Sequence, residues 1–146
     1  MPYASFHDYC PDIAERETRT ITVLKNSPWG LPPAHYSLIE MYCDESDCDC
    51  RRVFFYVVSS LTKQAVAVIA YGWESPEFYS EWMENDDLEM VNEIKGPVLN
   101  LASPQTKIAP ILLDMIQKIV LEDQIYIQRL KKHYLMFRCR AMTTTV

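Results

Sequence analysis

Apolar positions along this 146-residue chain follow two regimes that meet near Gly72. Before Gly72 they come in short runs rich in β-branched residues, and after it they recur at helical spacing. Thr18 to Lys25 (Thr-Arg-Thr-Ile-Thr-Val-Leu-Lys) reads as a first strand, and Tyr36 to Cys43, which alternates loosely, as a second. Arg52 to Ser60 is the clearest strand, and Gln64 to Tyr71 is a fourth. Asn26 to Pro33 holds three prolines and a glycine and is therefore a loop. Leu61-Thr62-Lys63 is short enough for a hairpin. Parallel strands need crossovers of about a dozen residues or more, for which the spacing leaves no room, so the strands form an antiparallel meander. Residues 1–17 are mixed and polar, with Cys10-Pro11 marking a turn or an extended start.

The second regime opens at Ser75-Pro76-Glu77, where Ser is placed as N-cap and Pro at the first helical position. Phe78, Tyr79 and Trp82 follow at helical spacing, a stripe that packs this helix on the sheet. Gly96-Pro97 breaks the chain. A helix from about Ile108 to Leu121 turns Ile108, Leu112, Met115, Ile116, Ile119 and Val120 inward. A last helix from about Asp123 to Arg140 carries Ile127, Leu130, Tyr134 and Phe137 on one stripe. The pattern predicts a single α+β domain over residues 1–146, an antiparallel sheet of three to four strands with C-terminal helices packed on one face.

Composition leaves this picture intact: 49% hydrophobic and 23% charged residues are ordinary for a globular chain long enough to bury a core without disulfides. The first few residues and the tail Thr143-Thr144-Thr145-Val146 are expected to fray. A net charge of −6 argues against nucleic acid as a partner. The charge is uneven, with eight acids and no base from Glu74 to Glu93, and five bases and no acid from Ile125 to Arg140. Two solvated faces, turned toward each other, explain this; a docking surface for an acidic protein partner is the alternative. No apolar run approaches the ~20 residues that span a bilayer, and the N-terminus lacks the basic and apolar regions of a signal peptide. No membrane association is expected, and the cytoplasm is the expected compartment.

Chemistry concentrates in Cys43-Asp44-Glu45-Ser46-Asp47-Cys48-Asp49-Cys50-Arg51-Arg52, where three of the five cysteines fall at C-x4-C-x-C spacing. The cluster spans the end of the second strand and the start of the third, so a hairpin brings Cys43 opposite Cys48 and Cys50. Residues two apart in extended chain share a side, which lets Cys48 and Cys50 reach one ion. Zn²⁺ takes four tetrahedral ligands and sits on turns of this length. The flanking acids favour a cation and raise the thiol pKa values, and Arg51 or Arg52 offsets the negative charge of bound thiolates. An odd cysteine count rules out a complete disulfide set within one chain, although a redox pair or a [2Fe–2S] cluster remains an alternative to zinc.

For the fourth ligand His133 is preferred, at the edge of the last helix's apolar stripe, over Cys139 and Cys10. His35 is discounted, because it lies at the far end of the second strand, roughly 25 Å from Cys43 at ~3.3 Å per residue. The residues Tyr42-Cys43, Cys48-Asp49-Cys50-Arg51-Arg52-Val53, Tyr71-Gly72-Trp73-Glu74 and His133-Tyr134 together resemble a pattern from an uncharacterised family of prokaryotic proteins. The resemblance runs from Glu40 to Arg138 and implies that the cluster and His133 belong together; it implies no activity. Metalloprotease, phosphate-loop, dinucleotide, hydrolase-elbow and deaminase motifs are all missing from the sequence. The expected function is a zinc-stabilised, non-enzymatic interaction module with Cys43, Cys48, Cys50 and His133 as metal ligands. A metal- or thiol-dependent enzyme, or a redox sensor, using the cysteine cluster is the alternative.

Overall fold

A computed structural model of the chain describes residues 3–143; part of each terminus expected to fray, residues 1–2 and 144–146, lies outside the described residues. The strands are β1 (Tyr3–Ser5), β2 (Thr20–Val23), β3 (Ala34–Cys43), β4 (Arg52–Ser59), β5 (Ala65–Gly72) and β6 (Val98–Leu99). The helices are α1 (Phe6–Tyr9), α2 (Pro11–Glu17), α3 (Pro76–Met83), α4 (Leu88–Lys95), α5 (Ala109–Met115) and α6 (Gln124–Thr143). All six strands join one antiparallel sheet in the order β1-β3-β4-β5-β6, with β2 also on β3. β4 pairs with residues 36–41 of β3 along one edge. The other edge is shared by β2 near its start and β1 at its end, where Tyr3 faces Cys43.

The α+β class, the antiparallel order and the four expected strands match the sequence reading, the first of them shortened to Thr20–Val23; among the described residues the count of three to four strands is corrected to six. The two extra strands are a three-residue and a two-residue piece, too short to show a period of two. The start of the chain, expected to fray, is paired from Tyr3 onward and then helical, with Ser5 accepting from the His7 amide as the cap of α1. Ser75 caps α3 as expected, accepting from the Phe78 amide, with Pro76 opening the helix. Of the aromatic stripe on α3, Tyr79 is buried and Trp82 is exposed. The predicted helix 108–121 is α5 followed by a π-helical turn at Ile116–Val120. The wider turn shifts the helical phase, so Val120 stays buried while Ile119, expected inward, faces out.

One continuous core lies between the sheet and α1, α2, α5 and α6. The sheet contributes alternate residues Tyr36, Leu38 and Tyr42 from β3, Val53, Phe55 and Val57 from β4, and Ala67 and Ile69 from β5. Leu130, Tyr134 and Phe137 of α6 pack onto them as its apolar stripe predicts. The opposite face is only partly covered: Phe54, Val68 and Ala70 are buried there, while Met41 and Tyr56 are partly buried. Among the described residues no helix is long and apolar enough to cross a membrane.

Gly72 ends β5 directly against α3. A β-carbon there would overlap the hydroxyl of Tyr79, and that ring is fully buried with its hydroxyl donating to the Arg51 carbonyl at 2.7 Å. Gly72→Ala is therefore expected to destabilise the fold by about 1–3 kcal/mol, the usual cost of overpacking, read as a lower urea midpoint. An unchanged midpoint would show that Tyr79 moves aside freely.

Candidate metal centre

β3 and β4 stay in register only as far as Met41 and Phe54, so Cys43 and Cys50 stand just beyond the paired ladder. Residues 44–51 connect β3 to β4 through a turn in which the Cys48 amide donates to the Glu45 carbonyl at 3.2 Å. Arg51 adopts a left-handed backbone conformation (φ 51°), uncommon for a side chain of its size. It is held there: the guanidinium donates to both Asp49 carboxylate oxygens and to Glu74, and lies 4.7 Å over the Phe78 ring. That kink sits between Cys50 and Arg52.

The Sγ atoms of Cys43, Cys48 and Cys50 lie within 4.8 Å of one another. Thiolates at about 2.3 Å from a tetrahedral zinc stand about 3.8 Å apart, so a contraction of about an ångström closes them on one ion. Cys43 and Cys50 are buried and Cys48 is half-buried. Soft thiolates in this number suit zinc and similar ions. Burial pushes the Cys43 thiol up to about 11, and neighbouring Cys48 adds to it. Burial also raises Cys48, with Cys50 second. The flanking acids Asp44, Glu45, Asp47 and Asp49 are exposed, so the expected effect of their charge is secondary to burial.

His133 is elsewhere. Its Nδ1 lies 2.7 Å from Glu40 Oε1 and its Nε2 2.8 Å from Glu17 Oε1. Both ring nitrogens of His133, the expected fourth ligand, face carboxylates, and it is not among the three grouped donors. Cys10 is buried in the core beside α6, and Cys139 is exposed on α6; neither joins the three thiols. His35 bonds Thr22 at the start of β3, as its discounting implied.

Two other residues of α6 hold the cysteine loop instead. Tyr134 donates its hydroxyl to Asp49 at 3.0 Å and accepts from the Arg51 amide at 3.3 Å. Arg138, one turn on, donates to the carbonyls of Cys43, Glu45 and Ser46 at 3.3–3.5 Å. The basic residues of α6 also reach Asp12 and the Glu17 carbonyl. Arg129, Arg138 and Arg140 therefore serve the N-terminal helices and the loop, and among the described residues no ion pair joins α6 to the acidic run at 74–93, although Lys131 and Glu74 line one shallow cleft.

Sequence reasoning missed Glu40, which projects into the core from the middle of β3 and is 3% exposed. Its carboxylate accepts from Tyr42 at 2.6 Å, from Tyr126 at 3.4 Å and from His133. An ionised carboxylate only accepts, so the ring donates to both of them only in its doubly protonated form, which this setting favours. Burial alone lowers its pKa, but Glu40 and then Glu17 outweigh that and raise it. Glu17, at the rim, is held low by the His133 hydrogen bond. A signal was available in the sequence, since Tyr36, Leu38, Glu40 and Tyr42 alternate on one face and Glu40 falls on the inward position.

No family model, curated protein or solved structure matches the chain.

Because the folded state raises the pKa of His133, its contribution is complete below the unfolded value near 6.5 and is lost as pH rises through the raised folded value. Glu17 acts in the opposite window, its contribution fading as pH falls below about 4.5. The stability of the wild-type protein should decline on the alkaline side of 6.5, and His133→Gln should flatten that decline. Removing one member of a buried pair costs about 3–5 kcal/mol, which equilibrium unfolding measures. Any metal that the wild type binds should be held at the same stoichiometry by His133→Gln, whereas its loss would return His133 to the ligand set.

Proposed function

We propose that this protein is a zinc-binding domain whose ion is held by the thiolates of Cys43, Cys48 and Cys50 and is structural. The observation that carries this reading is the convergence of three thiols, one from the end of β3 and two from the loop that follows it, within 4.8 Å. Bound there, an ion fixes the β3–β4 loop against the end of the sheet, and binding energy becomes folding energy. The domain then acts as a non-enzymatic interaction module toward another protein. Support for that role comes from the partly covered sheet face, where Met41 and Tyr56 are only partly buried.

A thiol- or metal-dependent enzyme or a redox sensor is the second reading. Cys48 favours it, being half-buried and coupled in space to two buried thiols. Oxidation of two of these thiols would form a disulfide with loss of two protons and two electrons to an external oxidant.

Mass spectrometry under native and denaturing conditions separates the readings. The expected result is one equivalent of zinc present in the native protein and lost on denaturation, and Cys43→Ser or Cys50→Ser should abolish it. A mass deficit of about two daltons without metal, reversed by reductant, would instead establish the disulfide. Chelation should lower the thermal midpoint of the zinc form and leave a Cys43→Ser variant unaffected.

A further inference from the structure

Three thiolates leave one vertex of a tetrahedron, and among the described residues no other His, Cys, Asp or Glu joins them. Tyr3 brings an oxygen of another kind beside them. β1 pairs antiparallel with the end of β3 and places Tyr3 directly opposite Cys43, so the two side chains share one face of the sheet. The phenolic oxygen stands 3.8 Å from Cys50 Sγ. In a tetrahedral site with sulfur at about 2.3 Å and oxygen at about 2.1 Å, the sulfur–oxygen edge is about 3.6 Å.

A second, independent observation concerns Arg52. Its side chain lies buried beside the cluster, 8% exposed, and forms no ion pair among the described residues. The guanidinium donates to the Ile94 carbonyl at 2.8 Å and to the Tyr3 oxygen at 3.4 Å, and lies 5.3 Å over the Phe54 ring. A buried cation without a counter-charge is costly. An anionic centre next to it removes that cost; in the metal-free fold burial and then Cys50 raise the pKa of the Tyr3 phenol, and the Arg52 charge opposes them.

We infer that the phenolate oxygen of Tyr3 is the fourth ligand of the Cys43–Cys48–Cys50 centre, with Arg52 as its counter-charge. This rests on the metal reading above. Binding of a dication forms three metal–sulfur bonds and one metal–oxygen bond and releases four protons to solvent, three from thiols and one from the phenol. The centre then carries two negative charges, one of them offset by Arg52. No protein position is left for water, which agrees with a structural ion.

Loading the metal-free protein with Co²⁺ tests this. The wild type should take one equivalent with tetrahedral d–d bands, accompanied by a tyrosinate difference band in the ultraviolet. Tyr3→Phe keeps the ring that stacks at 4.4 Å on Phe54. It should bind Co²⁺ about tenfold or more weakly, a loss typical of groups that set a metal site, with shifted d–d bands and no tyrosinate band. Metal bound by the wild type without a tyrosinate band, or a Tyr3→Phe variant of unchanged affinity and spectrum, would overturn the Tyr3 assignment alone. Failure of the wild type to bind Co²⁺ or Zn²⁺ would overturn the metal reading itself. The wild-type tyrosinate signal decides the question even where the variant does not fold.

Discussion

The carboxylate of Glu40 sets the terms for the core around it. It sits mid-strand in β3, opposite Phe55 of β4, on the face that otherwise buries Tyr36, Leu38 and Tyr42. A buried carboxylate is tolerable only with donors around it, and these come from three places: Tyr42 on its own strand, and Tyr126 and His133 on α6. The angular position of α6 on the sheet is thereby fixed by hydrogen bonding as well as by its apolar stripe. His133 passes the constraint on, because its other nitrogen requires Glu17 at the end of α2. Phe6 of α1 stacks on the imidazole at a centroid distance of 4.3 Å. Four elements thus meet at one ring. Such a pair adds little net stability over an apolar substitute, and its clearer effect is to disfavour other packings of α6, where Glu40 would be left unpaired.

From that fixed helix the cysteine loop takes its place. Residues adjacent on a helix point about 100° apart, so His133 enters the core while Tyr134 reaches Asp49 and the Arg51 amide at the loop. Arg138 lies one turn beyond and binds the loop carbonyls. The loop is therefore shaped by α6, and the thiols converge because their backbone is held. Left-handed Arg51 is the local expression of this grip: its ion pairs with Asp49 and Glu74 offset the strain of the turn that separates Cys50 from Arg52.

Features with a short-range period were legible in the sequence, and features set by distant partners were not. β3, β4 and β5 carry enough β-branched and aromatic residues to show their bounds within two residues, and Ser75-Pro76 marked α3 through local capping chemistry. The three-thiol group was legible from spacing alone, since a hairpin brings Cys43 near Cys48 and Cys50 whatever the rest of the chain does. β1 was not legible, because three residues carry no periodicity and its pairing partner is the far end of β3. α4 lies in the acidic run and buries only Val91, too small an apolar face to stand out. His133 was placed correctly on α6, but its ligands lie 93 and 116 residues away in sequence. Nothing near it distinguishes a metal-binding histidine from one paired with carboxylates.

The two polar centres are connected through the start of the chain. β1 holds the sheet edge by three residues only, a length that is marginal without other support. At one end of β1 stands Tyr3, beside Cys43 and Cys50; at the other, Ser5 caps α1, and Phe6 follows to stack on His133. On the proposed reading an ion binding Tyr3 anchors β1 to β3 and to the cysteine loop together. That anchoring fixes Ser5 and Phe6, and through Phe6 it limits the movement of the ring that holds Glu40 and Glu17. The centre and the buried His133 network would then open together or not at all, although no side chain is shared between them. Cooperative coupling of this kind follows from the shortness of β1: a longer strand would hold its own place, and the ion would have little to add.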